Sequence, residues 1–268
     1  MIQQVKKRAK QSLKGNFGLA LLGLLIFSII TGIINSLASR VIPGFDENYF
    51  NQFQGNPSPE LIQSLLSDLG IRIVLFVIVS VAVNILLTSI IQLGLIRYFN
   101  QFSLSKEPSL EMLFFGFKES YTFKLKSLVL VSIYAFVWFL PYTLLVTAGT
   151  LISNIALAAV SVLLGLVAFI FGIIKVLDYA LVPYLLSDEK ESFESVSELI
   201  EKSRNLIQGR KGSYIVLGLS FILWFIFGVI TFFIGLLYVI PYITQSYVEF
   251  YYELNPNPVS IKEEDDFA

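Results

Sequence analysis

The chain has 268 residues, of which 55% are apolar and 15% are charged, and its mean hydropathy is +0.73. Soluble domains carry about 25% charged residues, so this composition excludes an ordinary soluble enzyme and a disordered chain. The absence of cysteine and histidine excludes disulfides, cysteine nucleophiles, histidine catalysis and the common zinc sites, and 19 basic against 20 acidic residues give no global charge suited to nucleic acid. We therefore expect a multi-pass helical membrane protein that is not an enzyme and has no metal or cofactor.

Six apolar segments are predicted to cross the membrane, because a crossing helix needs about 20 mostly apolar residues. They cover residues 17–37, 71–96, 128–148, 155–176, 214–233 and 235–252, within a single transmembrane domain over residues 1–254. The last two segments share one uncharged run, 214–248, which as a single helix would be about 52 Å long and would exceed a ~30 Å hydrocarbon core. We divide this run at residues 232–235. Because Pro241, Gln245 and Glu249 interrupt the sixth segment, five spans are the alternative.

Lysines and arginines near the spans form three groups on alternate connections. These are Lys6, Lys7, Arg8, Lys10 and Lys14 before the first span, Arg97, Lys106, Lys118, Lys124 and Lys126 after the second, and Lys190, Lys202, Arg204, Arg210 and Lys211 after the fourth. The positive-inside rule places all three groups in the cytoplasm. We therefore expect a protein of the cytoplasmic membrane with a cytoplasmic N-terminus and, with six spans, a cytoplasmic and disordered acidic tail over residues 255–268.

The first span has a cleaved signal peptide as its alternative interpretation. A basic segment precedes it and a small-residue triplet, Ser36-Leu37-Ala38, follows it. Its apolar run is longer than the ~7–15 residues of a typical signal peptide, which favours a retained membrane anchor.

Short amphipathic helices are predicted between the spans. One lies over residues 59–70, starting after Ser58 and ending at Gly70, and two others lie in the cytoplasm over residues 110–117 and 192–208. In the last of these, Glu198 and Lys202 have the favoured i,i+4 order for an ion pair. The recurrence of a basic entry segment before the first, third and fifth spans indicates three successive helical hairpins.

Two stripes inside the predicted membrane region are candidates for function. Asn84, Thr88 and Gln92 place polar groups at four-residue steps along the second span, where they form either a polar path for a ligand or interhelical hydrogen bonds. Ser161, Gly165, Ala168 and Gly172 make a stripe of small residues along the fourth span, which lets another helix approach closely. We expect the two stripes to face each other at the centre of the bundle, with static packing as the favoured interpretation.

Charged residues near the cytoplasmic boundary supply the remaining candidates. Lys175 and Asp178 lie one turn apart at the end of the fourth span and are expected to pair, either as anchors or as part of an ion or substrate path. The N-terminal group Lys6, Lys7, Arg8, Lys10 and Lys14 is a candidate site for anionic lipid headgroups, at ~1 kcal/mol per residue. Setting the topology explains that group equally well.

Several local sequences together resemble the bacterial integral-membrane family catalogued as domain of unknown function 975. The resemblance covers about residues 5–254 and rests on Leu13-Lys14-Gly15-Asn16-Phe17, on Gly172-Ile173-Ile174-Lys175 and on Pro183-Tyr184-Leu185-Leu186-Ser187-Asp188. Where the family pattern has Pro-Gly, this chain has Phe171-Gly172, and Asp178 stands where a small polar residue is common. That difference favours Lys175 over Asp178 as a functional residue. The resemblance implies a membrane topology and no activity.

The sequence thus predicts an all-α polytopic bundle of six transmembrane helices, or five, arranged as hairpins with short amphipathic connectors. The leading interpretation is a non-enzymatic protein that binds membrane lipids or another membrane protein. The alternative is a small transporter or export accessory with a polar path between the second and fourth spans. The sequence leaves the ligand, the partner and the oligomeric state open.

Overall fold

The computed structural model describes residues 1–41, 59–118 and 120–256, and these residues contain helices and no β-strand. The helices are α1 (Ile2–Leu13), α2 (Phe17–Val41), α3 (Pro59–Val83), α4 (Ser89–Ser103), α5 (Tyr121–Leu151), α6 (Ile155–Val176), α7 (Val182–Ser187), α8 (Val196–Ile207), α9 (Lys211–Leu219), α10 (Ile222–Ile230) and α11 (Leu236–Leu254). A π-helical turn, Asn84–Thr88, joins α3 to α4, and 3-10 segments cover Leu110–Phe117 and Leu177–Tyr179. The predicted all-α class is confirmed.

Five helical stretches in the described residues are long and apolar enough to cross a membrane. They are Phe17–Ala38, Ile73–Ser103, Tyr121–Leu151, Ile155–Ser187 and Lys211–Ile230. Large apolar side chains such as Leu163 on α6 and Ile78 on α3 are exposed along them. Since a lone soluble protein rarely exposes so extensive an apolar surface, these faces fit contact with lipid. Helix α11 does not meet the same criterion of length and composition.

The buried core lies at one end of the molecule, where α1, the Leu110–Phe117 segment, α7, α8 and α11 pack around the last three turns of α4. We call this the basic end, because most of the lysines and arginines of the described chain lie there. Helix α1 illustrates how it forms: Val5, Ala9 and Leu13 recur every four residues on one face and are buried, while its lysines stay outside. Burying each large apolar side chain contributes about 1.5–3 kcal/mol.

Two glycines allow the Leu110–Phe117 segment to lie directly on α4. A methyl group at Gly94 would overlap the Leu113 carbonyl and stand 2.8 Å from the Leu113 Cα, and one at Gly116 would overlap the Ile90 carbonyl. The two backbones are therefore in direct contact. Leu113 is fully buried as a result.

Two predicted features of the connectors are wrong. Helix α3 begins at Pro59, as expected, but it continues through Gly70 to Val83. A glycine costs only about 1 kcal/mol inside a helix, and an apolar segment in lipid needs continuous internal hydrogen bonds, so Gly70 does not end it. The Glu198–Lys202 pair is also absent: Lys202 pairs with Glu191 at 2.6 Å, while the Glu198 carboxylate accepts from the backbone N–H of Glu194 at the start of α8.

The cytoplasmic connectors are helical, with changed bounds. Residues 110–117 form a 3-10 helix, and α8 starts at Val196 because the Ser195 hydroxyl accepts from the backbone N–H of Glu198 at 3.2 Å. The predicted tail over residues 257–268 and the outer loop over residues 42–58 lie outside the described residues.

The chain reverses between α10 and α11 at residues 231–235, close to the predicted division. Phe232 and Phe233 have positive φ angles of 52° and 69° there. Left-handed conformation at two successive bulky residues is uncommon and gives the turn its tight shape.

Candidate lipid-binding site

An open groove of about 560 Å³ lies between α5 and α8 at the basic end. Its apolar wall is built by α5, the Leu177–Tyr179 segment and the buried edge of α8, and its polar wall by the outer edge of α8. The lining residues are Leu130, Tyr134, Val137, Trp138, Tyr179, Val196 and Ile200 on the first wall and Ser197, Glu201, Arg204 and Asn205 on the second. The groove is therefore amphipathic along its length.

Local sequence fixes α8 in this position. The buried face of α8 includes Leu199, Ser203 and Ile207, which leaves Glu201 and Arg204 on the groove side. The Ser203 hydroxyl donates to the Asp178 carbonyl at 2.8 Å and ties α8 to the 3-10 segment after α6. The polar wall thus has a rigid support.

Asp178 anchors the charges around the groove. The Lys211 ammonium lies 2.6 Å from one Asp178 oxygen and also donates to the Ile174 carbonyl at 2.8 Å. The Arg204 Nε stands 4.0 Å from the other oxygen, and its side chain is 56% exposed. Asp178 is thus neutralised mainly by Lys211, which leaves most of the Arg204 guanidinium directed to the groove and solvent.

The predicted Lys175–Asp178 pair is wrong. The α-helix ends at Val176 and the 3-10 segment that follows turns Asp178 away from the face that carries Lys175. The Lys175 ammonium instead lies 5.1 Å from the Trp138 ring centroid and 5.4 Å from that of Phe171. Such cation–π contacts contribute about 0.5–1 kcal/mol at exposed sites.

Trp138 and Tyr179 complete an aromatic corner at the inner edge of the groove. The Trp138 indole N–H donates to the Tyr179 hydroxyl at 3.1 Å, and Tyr134 packs against Tyr179 with ring centroids 6.1 Å apart. Aromatic side chains with one polar tip are typical of membrane–water boundaries.

The N-terminal lysines lie along a second surface next to this end of the molecule. The Lys6 ammonium lies 4.1 Å from the Phe221 ring centroid and that of Lys10 5.6 Å from the Tyr242 centroid. A pocket of about 250 Å³ follows, lined by Lys10, Leu13, Lys14, Gly15, Phe17, Tyr238 and Tyr242. Burial, and secondly the charge of Lys10, lowers the pKa of Lys6 from its ordinary value. An anionic group beside these lysines would relieve that repulsion.

The other two N-terminal candidates point elsewhere. Lys7 is exposed and lines none of the described pockets. Arg8 turns toward α11, where it pairs with Glu253 and lies 4.0 Å from Glu249. Arg8 is therefore a structural contact of α1.

Sequence reasoning missed a buried polar cluster between α1, α4 and α11. One Glu249 oxygen accepts from the Ser12 and Ser103 hydroxyls, both at 2.7 Å, and from the Gln245 amide at 3.1 Å. Glu249 had been assigned to the membrane surface as an interruption of an apolar run. The interruption itself was the signal, since buried charges must be hydrogen-bonded.

Arg97 belongs to a second missed network. Its buried guanidinium donates to the Ser187 carbonyl at 2.9 Å, pairs with Glu189 and lies 4.9 Å from the Phe115 ring centroid. The Lys124 ammonium lies 3.6 Å from the same ring centroid. A basic residue directly at the end of an apolar run was counted only as a topology signal. Here it joins α4 to the chain after α7.

The polar stripe of the second span lies at the π-helical turn. Asn84 and Gln92 are exposed, and Thr88 is half-buried with its hydroxyl oxygen unpartnered among the described residues. Because the π turn holds one extra residue, it keeps these side chains nearly in line. In the described part of the chain, no hydrogen bond or ion pair joins them to Lys175 or Asp178.

The small-residue stripe of α6 faces its hairpin neighbour α5. A methyl group at Gly165 would meet Val146 at 3.0 Å, one at Gly172 would meet the Trp138 carbonyl at 3.1 Å, and Gly149 of α5 lies against Ser161. Ala168, between them, is half-buried. The prediction that this stripe faces the polar stripe of the second span is therefore wrong.

The fold and these surfaces define an all-helical protein with several helices long and apolar enough to cross a membrane. In the described ranges no group of three or more Asp or Glu residues is placed to hold a metal ion. The chain belongs to the family described as Protein of unknown function (DUF975), whose profile matches residues 1–257. No curated protein and no solved structure matched the chain.

Proposed function

We propose that this protein resides in the cytoplasmic membrane with its basic end and both termini on the cytoplasmic side, and that it acts by binding phospholipid there without catalysing a reaction. The observation that carries the proposal is the groove between α5 and α8. A phospholipid has a charged phosphate joined to apolar chains, and the groove joins a guanidinium and an amide, from Arg204 and Asn205, to a wall of aliphatic and aromatic side chains.

The position of the groove along the membrane normal supports the proposal. Helix α6 begins at Ile155, and Lys175 stands 20 residues further along it, or about 30 Å at ~1.5 Å per residue. The hydrocarbon core is itself about 30 Å thick. If the α5–α6 turn lies at one surface, Lys175, Trp138 and Arg204 lie at the headgroups of the other.

Charge gives the proposed site its preference for anionic lipid. Lys6, Lys10 and Lys14 share one edge of α1, next to Tyr238 and Tyr242. A polybasic edge of this kind attracts anionic headgroups by about 1 kcal/mol per residue. We assign phosphate binding to the groove and charge selection to this edge.

The transport alternative has less support. It required the polar residues of the second span and the small-residue stripe of the fourth to form one path, yet Gly165 and Gly172 pack on α5. A partner membrane protein remains compatible with the exposed Asn84 and Gln92.

Native mass spectrometry of the protein in mild detergent, with added phosphatidylglycerol, tests the proposal. We expect Arg204→Gln to weaken binding of the lipid, and Ser197→Trp to do so by filling the groove with every charge retained. Lys7→Gln is the matched control, because it removes one exposed charge outside the pockets. Equal lipid binding by Arg204→Gln, Ser197→Trp and Lys7→Gln would refute the proposal.

A further inference from the structure

We infer that α10 and α11 form a re-entrant hairpin, which enters the membrane from the basic end, turns inside the hydrocarbon and returns to the same side. The partner of its tip is the acyl-chain region of one leaflet. This replaces the predicted fifth and sixth spans by a segment that crosses neither surface twice, and it is independent of the lipid groove proposed above.

The first argument is the depth available to the hairpin. The Lys6 and Lys10 ammonium groups, which must remain at the membrane–water boundary, lie over Phe221 and Tyr242. The Tyr238 ring stacks at 5.3 Å on Phe17, the first residue of α2. The boundary therefore passes near the start of α10 and the first turns of α11.

Only α10 and the beginning of α11 extend beyond that boundary. Helix α10 has nine residues, which rise about 14 Å, whereas the hydrocarbon core is about 30 Å thick. Helix α9 is long enough to complete a span with α10, but it lies on the other side of the Lys6 contact with Ser220, where Lys6 donates to the carbonyl at 3.3 Å. The tip thus reaches about the middle of the bilayer.

The second argument is the hydrogen bonding of the turn. All eight backbone N–H groups from Thr231 to Tyr238 donate to oxygens of the hairpin itself. The Phe233 N–H reaches the Gly228 carbonyl at 2.9 Å, and the Gly235 N–H reaches the Thr231 hydroxyl oxygen at 2.9 Å. A turn in water has no need of such closure, whereas a turn in hydrocarbon requires it.

The third argument is the composition of the tip, compared with the α5–α6 turn. Phe232, Phe233 and Ile234 are exposed at 87%, 64% and 71%, with no charged or amide side chain among them. The α5–α6 turn instead carries exposed Ser153 and Asn154, and the Asn154 side chain caps α6. The second turn suits water or headgroups, and the first suits acyl chains.

The two arms of the hairpin are held together closely enough to insert as one unit. A methyl group at Gly235 would lie 3.0 Å from the Gly228 Cα, and Trp224 packs near Tyr238 with ring centroids 6.4 Å apart. Trp224 and Tyr238 are then at the base of the hairpin, at the depth where such residues anchor membrane segments.

Thiol labelling tests this topology without background, because the chain has no cysteine. Ile234→Cys, at the tip, and Ser153→Cys, at the α5–α6 turn, are compared in intact cells and inverted vesicles with a membrane-impermeant maleimide. A thiol in hydrocarbon cannot form the reactive thiolate. We therefore expect Ser153→Cys to react from the outer side and Ile234→Cys to react from neither side until detergent is added.

Each contrary result overturns the inference in a defined way. Labelling of Ile234→Cys from the outer side would make α10 and α11 two full spans. Labelling from the cytoplasmic side alone would place the hairpin outside the bilayer. Since Ile234 is an exposed tip residue, its substitution leaves the packing intact; quenching of Trp224 fluorescence by lipids with shallow bromine labels, in a Trp138→Phe background, gives a second reading of depth in an unaltered tip.

Discussion

Gly94 should be among the least replaceable residues of the basic end, and Gly94→Ala tests the packing of α4 against the Leu110–Phe117 segment. The added methyl group would stand 2.8 Å from the Leu113 Cα and overlap its carbonyl group, where ordinary contacts are 3.4–4 Å. The segment must therefore withdraw by at least 0.6 Å, the difference between 3.4 and 2.8 Å. Backbone cannot turn aside as a side chain can.

The expected cost follows from what that withdrawal disturbs. Overpacking of a filled core typically costs about 1–3 kcal/mol. Leu113 is fully buried, and the Phe115 ring lies against both Arg97 and Lys124, so displacement weakens these contacts as well. At about 2–4 °C per kcal/mol for a chain of this size, we expect Tm to fall by roughly 2–12 °C.

Tryptophan fluorescence during thermal unfolding in detergent measures this shift. Gly32→Ala is the matched control, because nothing lies within 4 Å of a methyl group there and the residue is inside α2. An alanine for glycine in a helix favours it by about 0.5–1 kcal/mol when space is free. If Gly94→Ala and Gly32→Ala shift Tm alike, the close backbone contact is not a feature of the folded protein.

Three further substitutions probe the other features. Asp178→Asn and Lys211→Met should each lower Tm, and the double variant should lose less than their sum, with a coupling of about 0.5–3 kcal/mol in a double-mutant cycle because the 2.6 Å pair is lost only once; additive losses would contradict the pair. Glu249→Leu leaves three donors unpaired, at about 1–3 kcal/mol each, and should release α1 to protease digestion, whereas an undigested α1 would show that the cluster does not hold it. Asn84→Leu should leave Tm unchanged or raised, since its exposed amide has no hydrogen-bond partner among the described residues; a marked fall would indicate a contact that the single chain lacks.

Features set by local physics were accessible from the sequence. The predicted span over residues 155–176 coincides with α6, because an uninterrupted apolar run has few alternatives to a helix. The reversal near residues 232–235 followed from the length of the run alone. The amphipathic α8 followed from its periodicity, although its start depended on the Ser195 cap.

Features set by distant partners were not accessible. Asp178 had a basic neighbour one turn away in Lys175, yet a short 3-10 segment moved it toward Lys211, which is 33 residues further along (211 minus 178). The Glu249 cluster joins residues from the two ends of the chain. The π turn at Asn84 is one extra residue in an otherwise regular helix, and no periodicity of the apolar pattern signals it.

The docking of α1 on α11 has a consequence for the order in which the protein is made. Ser12 and Glu249 are 237 residues apart, which at about 5–20 residues per second corresponds to roughly 10–50 s of synthesis. During that time the apolar face of α1 has no protein partner and rests on whatever lipid is nearest. The membrane segments can enter one by one, but the core at the basic end closes only when the final helix arrives, so a chain shortened before residue 245 keeps its membrane segments and has an unfinished, protease-sensitive beginning.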